Sequence, residues 1–374
     1  MPRFLSLSAA TMALLPAVAL GAHPAWHSSS YHVRSATSSW NLAATRHFGQ
    51  PDNASGYSTI LDVGSRIWAF GGSNPGGLSA PVAETLTGQR WSATSLPAGL
   101  SGFISDASAP ASDDIWAISG YGRYVLRWDG ARWRLVRSWG GQGILSGVLA
   151  VGPRDAWVFG TSATGVRSLG TWHYTGGRWR KVAGLAADIY RASATPRHEI
   201  WAIAAQPTQD VIVRLVGHWW RRVRAGSVIT GVRWHDILAE SANDVWLVGD
   251  TASADGSGRL ELARWDGQGW RVYVTSLHGW AGRLAAAEPG QVLFTATSSG
   301  WLAAGIIATM SDGGHLSWSA IASSLGNGVS DVAFMPRTRS IWASGGILTN
   351  LGGNAVVWVR ATHHAYRRAG TDSD

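Results

Sequence analysis

The chain has no cysteine and little charge, and both shortages exclude classes of function. Without cysteine there is no disulfide framework, no thiolate metal site and no cysteine nucleophile. Only 14% of the 374 residues are charged, against about 25% in ordinary soluble domains. No run of basic residues is long enough to indicate nucleic-acid binding. The densest group indicates either a solvated strand face or a contact for an anionic polymer: Arg221, Arg222 and Arg224.

The first 22 residues have the pattern of an export signal. Arg3 precedes an apolar stretch from Phe4 to Leu20, and small residues follow up to Ala22. We expect cleavage after Ala22 or Ala19 and a secreted, extracytoplasmic protein; a retained membrane anchor is the alternative, although the stretch is short for a span. No later segment reaches 18 uninterrupted apolar residues, so the mature protein is predicted to have no stable membrane span.

Tryptophan and glycine are abundant instead, with 23 and 47 residues. A short apolar block centred on an aromatic residue, which we call the anchor, recurs every 41 to 48 residues. The anchors are Trp68, Trp116, Trp157, Trp201, Trp246, Phe294 and Trp342. Between anchors the chain divides into short strands joined by turn signals such as Asp129-Gly130. A period near 45 residues with four strands predicts the blade of a β-propeller.

Seven anchors predict an all-β, seven-bladed β-propeller of four-stranded antiparallel blades over residues 38–369. One blade cannot bury both of its faces, so we expect neighbouring blades to stack with the anchors between them. The strand beginning at Trp40 is expected to pair with the last blade and close the ring. Residues 23–37 are predicted to be a flexible segment, and residues 370–374 a tail.

The D-x-W-A-φ-G block followed by D-G-x-x-W is similar to the secreted, Trp-rich propeller repeats of actinobacteria. Those repeats belong with the Asp-box (sialidase-like) and photosystem-assembly-factor-like propellers. The segment from Ser311 to Trp318 resembles an Asp-box with one extra residue. The resemblance covers about residues 58–369 and implies the fold, whereas function depends on sites added to it. The F-R-I-P motif that a sialidase-like enzyme implies is missing from the chain.

Four tryptophans do not follow the repeat, and they are the first candidates for a ligand site. The predicted topology places them on the face where the channel opens, called the channel mouth below, and exposed indoles commonly mark binding sites for sugars or proteins. The alternative is that they cap the apolar blade ends. These candidates are Trp139, Trp234, Trp280 and Trp301.

A second set of candidates lies ten or eleven residues before the anchors, on the strand expected to line the channel. It comprises Asp106, Asp236 and Asp331, with Arg191 in the equivalent position of another repeat. Carboxylates there would bind sugar hydroxyls or a cation. Alternatively, they accept hydrogen bonds from backbone amides and have a structural role.

These observations predict a secreted, non-catalytic binding or scaffold propeller. The expected partner is an extracellular glycan, a cell-wall polymer or a protein, and the chain is expected to be a monomer. The alternative is a glycan-active hydrolase or lyase that uses the channel carboxylates. We predict no cofactor and no metal, since the twelve histidines lack the spacing of metal ligands.

Overall fold

The computed structural model describes residues 40–48, 54–74, 80–140, 143–162, 168–182, 185, 187–206, 209–224, 231–251, 258–299, 303–321, 327–349 and 352–361. Within these ranges the regular structure is β-strand, and no helix there is long and apolar enough to cross a membrane. The predicted export signal, the segment 23–37 and the tail 370–374 lie outside the described residues.

Three sheets are simple four-stranded antiparallel units in which consecutive strands pair. The first unit contains β6 (Asp106–Ala111), β7 (Asp114–Ser119), β8 (Tyr124–Trp128) and β9 (Trp133–Ser138). The second contains β10 (Ile144–Gly152), β11 (Asp155–Thr161), β12 (Thr171–Thr175) and β13 (Arg178–Val182). The third contains β14 (Asp188–Ala194), β15 (Ile200–Ala205), β16 (Asp210–Val216) and β17 (Trp219–Arg222).

The other two sheets are larger. The seven-stranded sheet contains β18 (Val232–Ser241), β19 (Asp244–Thr251), β20 (Arg259–Trp265), β21 (Trp270–Ala286), β22 (Gln291–Ser298), β23 (Gly305–Ser311) and β24 (Leu316–Ile321). The eight-stranded sheet contains β1 (Asn41–Arg46), β2 (Ala54–Val63), β3 (Arg66–Asn74), β4 (Ala80–Thr87), β5 (Arg90–Ala93), β25 (Asn327–Met335), β26 (Ser340–Thr349) and β27 (Gly352–Ala361).

Each larger sheet joins two four-stranded arrangements. In one, β21 pairs with β20 up to His278 and with β22 from Gly279 onward. In the other, a single parallel pairing of Ala54 with Gly353 connects β2 to β27. The all-β class and the repeated four-stranded antiparallel sheets are confirmed. The count of seven blades stays a prediction, because the strands pair into five sheets.

The first strands of the repeats lie side by side around a common centre. In contact order they are β2, β6, β10, β14, β18, the later part of β21, and β25, and β25 in turn contacts β2. β1 pairs antiparallel with β27 from Asn41 to Arg46. The pairing expected for the strand that follows Trp40 is therefore confirmed.

The core is divided into clusters between neighbouring sheets, and the anchors fill them. Trp116 of β7, for example, is fully buried. It packs with Val148 and Ala156 of the second unit and with Trp139, which lies just before that unit. Trp68, Trp201 and Trp246 occupy corresponding clusters. Most of the tryptophans belong to these clusters. Each buried indole removes about 150–250 Å² from water, so the tryptophans supply much of the contact between sheets.

The Asp of the D-x-W block has a structural role that is repeated along the chain. Asp114 accepts a hydrogen bond from Arg127 Nε at 2.6 Å, and the same guanidinium lies 5.5 Å from the Trp116 ring centroid. Arg127 is the direct cross-strand partner of that tryptophan. The arrangement recurs with Asp244, Arg264 and Trp246, and with His173 stacked on Trp157 beside Asp155.

The glycine that ends the W-A-φ-G block is required by close packing of the backbone. A Cβ atom on Gly345 would lie 1.9 Å from the carbonyl oxygen of Gly328, and one on Gly71 would lie 2.0 Å from that of Gly56. The neighbouring first strand runs against the α-carbon at this point, so a side chain has no space.

Candidate functional site

The three predicted aspartates meet the backbone of the next first strand. Several first strands contain a β-bulge near the centre of the ring, and bulges redirect side chains locally. In three places a carboxylate of one first strand accepts a hydrogen bond from a backbone amide of the next first strand. The pairs are Asp106 with the Val148 amide at 2.9 Å, Asp236 with Leu284 at 2.8 Å, and Asp331 with Ile60 at 3.0 Å.

Two arginines complete a cluster that spans the centre of the ring. Arg283 Nη2 lies 2.5 Å from Asp106 Oδ1, although the two residues are 177 positions apart. Arg191 lies 3.8 Å from a carboxylate oxygen of Asp106 and 3.9 Å from one of Asp236. All five side chains belong to residues that are only 6–9% exposed. We call this group of Asp106, Arg191, Asp236, Arg283 and Asp331 the central cluster.

Burial dominates the electrostatics of the central cluster. It raises the pKa of Asp331 to about 6, against the attraction of Arg283 and the hydrogen bond from Thr59. It also raises the pKa of Asp236 and, together with the charge of Arg283, lowers that of Arg191. Three carboxylates face two guanidinium groups, so the fully ionised cluster has a net charge of −1, and Asp236 and Asp331 hold their protons more tightly than exposed carboxyl groups do.

The structure therefore brings together all four of the channel residues chosen from the sequence. It adds Arg283, which the sequence analysis missed. The signal was present, because Arg283 stands eleven residues before the anchor Phe294, but that anchor is not a tryptophan. Each carboxylate is already used by an amide or a guanidinium group. Whether these residues bind a ligand stays a prediction.

The four tryptophan candidates are separated by the structure. Trp139 is 9% exposed and Trp234 only 1%. Trp172 and Trp179 pack at 5.7 and 5.8 Å from the Trp139 ring centroid, and the Arg137 guanidinium lies over the same ring. Both buried indoles thus have a packing role, and their ligand role stays a prediction.

Trp280 differs from these two because it is half-buried, at the point where β21 passes from one arrangement of strands to the next. The residue is therefore partly accessible, on the face predicted to be the channel mouth. Trp301 lies outside the described residues.

A second polar group lies beside Trp280, and sequence reasoning did not assemble it. Asp250 Oδ1 accepts a hydrogen bond from Arg233 Nη2 at 2.8 Å, and Asp250 Oδ2 lies 2.5 Å from His235 Nε2. The same carboxylate accepts a bond from the amide of Ala281 at 3.2 Å. Burial alone would raise the pKa of Asp250, but the hydrogen bond and charge of His235 bring it below its ordinary value. The alternation of β18, which puts Arg233 and His235 on one face, was the available signal.

Tyr190 and Asp210 support this group from the adjoining sheet. The Tyr190 hydroxyl donates to the carbonyl oxygen of Trp234 at 2.5 Å, and Asp210 accepts a bond from the Trp234 amide at 3.1 Å. Burial raises the pKa of Asp210 above its ordinary value and that of Tyr190 well above it. The start of β18, next to Arg233, is thus bound to the adjoining sheet through both the amide and the carbonyl group of Trp234.

The same face has further partly exposed apolar groups. Tyr121, in the turn between β7 and β8, is 48% exposed and contacts Phe103 with ring centroids 6.4 Å apart. Leu348, at the end of β26, is 42% exposed. In the part of the chain that the structure describes, no group of three or more His, Asp or Glu residues has the geometry to hold a metal ion.

No protein-family model matches the sequence, and no curated protein matches it. The fold, however, is similar to solved β-propellers. A structure described as YCF48 bound to D1 peptide has a TM-score of 0.56 at 13% identity, with 87% of this chain and 98% of that chain covered. A streptogramin B lyase structure has a TM-score of 0.58 at 10% identity, covering 86% and 98%. The WD40 repeats of RRP9 give 0.56 at 11% identity, covering 85% and 100%. At these identities the similarity shows the β-propeller fold alone.

Proposed function

We propose that the protein is a secreted, non-catalytic binding propeller of seven blades that recognises an extracellular protein segment or glycan at its channel mouth. The export pattern of the first 22 residues supports the location. The closed contact order of the first strands supports the blade count. A propeller that binds a peptide is among the solved structures with this fold.

The observation that carries the proposal is the filled centre of the ring. Arg283 and Asp106 meet across it at 2.5 Å, and the other charged side chains of the central cluster pack around them. A small substrate entering the channel would have to break buried ion pairs, which is costly because the released charges stay desolvated. The central cluster therefore acts as a rigid base beneath the mouth.

The composition of the mouth fits recognition of another macromolecule. Partly exposed aromatic rings, here Tyr121 and Trp280, and an arginine such as Arg233 are the residue types enriched in binding hot spots. The guanidinium of Arg233 is held by Asp250 at 2.8 Å while its side chain remains 34% exposed. It is thus oriented before a partner arrives, which reduces the entropy lost on binding.

The hydrolase or lyase alternative depends on two accessible carboxyl groups about 5–10 Å apart. The channel aspartates accept bonds from backbone amides and face arginines, and each is only 7–8% exposed, so a sugar would have to displace these partners to reach them. Incubating the protein with a panel of polysaccharides and measuring released sugar tests this alternative. Activity that Asp236→Asn abolishes would overturn the non-catalytic proposal.

Binding is tested by screening the purified full chain against a peptide array and a glycan array, and then measuring Kd for each hit by calorimetry. The variant Tyr121→Ala/Trp280→Ala should weaken binding at least about tenfold, since loss of one hot-spot contact exceeds about 1.4 kcal/mol. Trp318→Ala is the matched control, because Trp318 is 40% exposed on the outer strand β24, away from the mouth.

The result has clear alternatives. Hits confined to peptides identify a protein partner, and hits confined to glycans identify a sugar partner. Equal affinity of the mouth variant, the Trp318→Ala control and the wild type for every hit would overturn the proposed face.

A further inference from the structure

Three neighbouring outer strands share a composition that the rest of the molecule lacks. The fourth strands β9, β13 and β17, with their flanks, form the segments 132–137, 178–181 and 219–224. Together these contain nine arginine or lysine residues and no carboxylate. The excess is larger than the formal net charge of the whole chain, +8. We call these three segments the basic rim.

The other outer strands show that the repeat does not require this charge. The strands β5, β1 and the first half of β21 each contain a single arginine, and β24 contains none. The three basic strands also belong to consecutive sheets, since β6 contacts β10 and β10 contacts β14. Their cations therefore lie on one side of the ring.

The cations of the basic rim are exposed and mostly without ionic partners. Eight of the nine are solvent-exposed, Arg137 being half-buried. Among the residues that the structure describes, Arg134 is the one rim cation that forms an ion pair, and its partner Asp129 lies outside the rim. Arg221 even stands directly opposite Arg214 across the β16–β17 pairing, an arrangement of like charges that is unfavourable by itself. An external anion would relieve this repulsion.

The rim also presents an exposed aromatic surface. Trp219 is 59% exposed, the most exposed large apolar side chain in the described part of the chain. It stands two positions before Arg221 on β17, so both side chains project from the same face of the strand. A flat indole next to a guanidinium fork fits a sugar ring that has an acidic group: the C–H face stacks on the indole, and the acid forms bidentate bonds to arginine.

The layout favours a flexible polyanion over other anionic partners. Packed sheets lie about 10 Å apart, so a ligand must extend across three sheets to contact all the cations. A peptide that pairs as an extra strand with one of these outer strands would contact the cations of that sheet only. Duplex DNA is stiff over about 50 nm and touches a convex rim at one place. Single-stranded nucleic acid needs successive stacking platforms, and within the described rim Trp219 is the one exposed tryptophan.

We propose that the basic rim binds an anionic polysaccharide, with the arginines of β13 and β17 contacting its acidic groups and Trp219 stacking on a sugar ring. This surface is separate from the channel mouth, so its occupation would anchor the protein to an acidic matrix and leave the mouth free. The proposal does not depend on the function proposed for the mouth.

The test uses polygalacturonate as the probe, with dextran as the uncharged control polymer. The variant Arg180→Gln/Lys181→Gln/Arg221→Gln/Arg222→Gln removes four rim charges. The variant Arg66→Gln/Arg90→Gln/Arg197→Gln/Arg271→Gln removes four exposed charges elsewhere. We expect at least tenfold weaker polygalacturonate binding for the first variant and less than twofold for the second. The dependence on salt should also be less steep for the rim variant, because fewer counterions are released.

Further probes separate the sources of negative charge. Trp219→Ser should weaken binding of polygalacturonate about fivefold and leave polyglutamate binding unchanged. Tyr121→Ala/Trp280→Ala at the mouth should leave polygalacturonate binding intact. Tighter binding of polyglutamate or duplex DNA than of polygalacturonate overturns the choice of ligand class. The proposed site is overturned if the two quadruple variants lose polygalacturonate affinity equally, or if the wild type does not bind polygalacturonate in low salt.

Discussion

Replacing Arg283 with methionine is expected to destabilise the protein by about 3–5 kcal/mol at neutral pH, the usual cost of removing one partner from a buried ion pair. Arg283 is 9% exposed, and it lies 2.5 Å from Asp106 and 3.9 Å from Asp236. Without it, three buried carboxylates would share the single charge of Arg191, and the ionised cluster would change from −1 to −2. Methionine has a similar length, so the change removes charge with little change in packing.

The same reasoning fixes the sign of the pH dependence. Removing a cation raises the folded-state pKa of Asp236 and Asp331 further above their unfolded values. A raised carboxyl pKa contributes stability that is fully present below the unfolded pKa and is lost as the pH rises through the folded one. The destabilisation by Arg283→Met should therefore be largest near pH 7.5 and should shrink towards pH 4.5, below the pKa of about 6 of Asp331.

Urea unfolding followed by tryptophan fluorescence at both pH values measures this difference. Arg271→Met is the control, because Arg271 is exposed on an outer strand and substitution at such a site costs within about 0.5 kcal/mol. A loss below about 1 kcal/mol at pH 7.5, or an equal loss at both pH values, would refute the argument that the central cluster is a buried and electrostatically coupled unit.

Three further changes test other parts of the fold. Gly345→Ala should lower stability by about 1–3 kcal/mol through overpacking, because its Cβ would lie 1.9 Å from a carbonyl oxygen; Gly269→Ala, which meets nothing within 4 Å, should be neutral in the same thermal melt. Trp40→Ala should cost about 3–5 kcal/mol, since Trp40 is 9% exposed in the core that joins β1 to the last strands, and limited proteolysis should then cleave first near β1. Asp331→Asn can keep one oxygen as the acceptor for the Ile60 amide but loses the bond that the other oxygen accepts from the Val332 amide, worth about 1 kcal/mol. It also removes a group whose folded pKa is about 6 against an ordinary 3.8, a difference of about 3 kcal/mol; the variant should therefore gain stability over the wild type at pH 7.5, and urea titrations should show that gain disappearing near pH 4.

Local patterns were sufficient for the strands and their packing. The anchor blocks became buried second strands because an apolar run with little alternation can only lie between two sheets. The Asp129-Gly130 turn formed as predicted, with Asp129 accepting bonds from two following amides. The strand after Trp40 paired with β27 because a propeller leaves one edge to be filled.

Long-range geometry explains what the sequence analysis missed. The sequence left open whether Trp139 and Trp234 bind a ligand or cap the blade ends, because the groups that pack against them lie in neighbouring sheets. Asp250 and Arg233 are 17 positions apart and meet only because β18 and β19 pair at that register. Arg283 was overlooked because its repeat has phenylalanine as anchor, although the spacing was kept.

The amino-acid sequence by itself determined the all-β class, the four-stranded repeat and the use of tryptophan between sheets, because these depend on period, turn residues and apolar patterning. Only the tertiary structure decided that the centre of the ring is filled by an ion-pair cluster, and that nine cations are gathered on one side of its rim. Both depend on distances between residues of different repeats. A linear pattern does not specify such distances until the ring is closed.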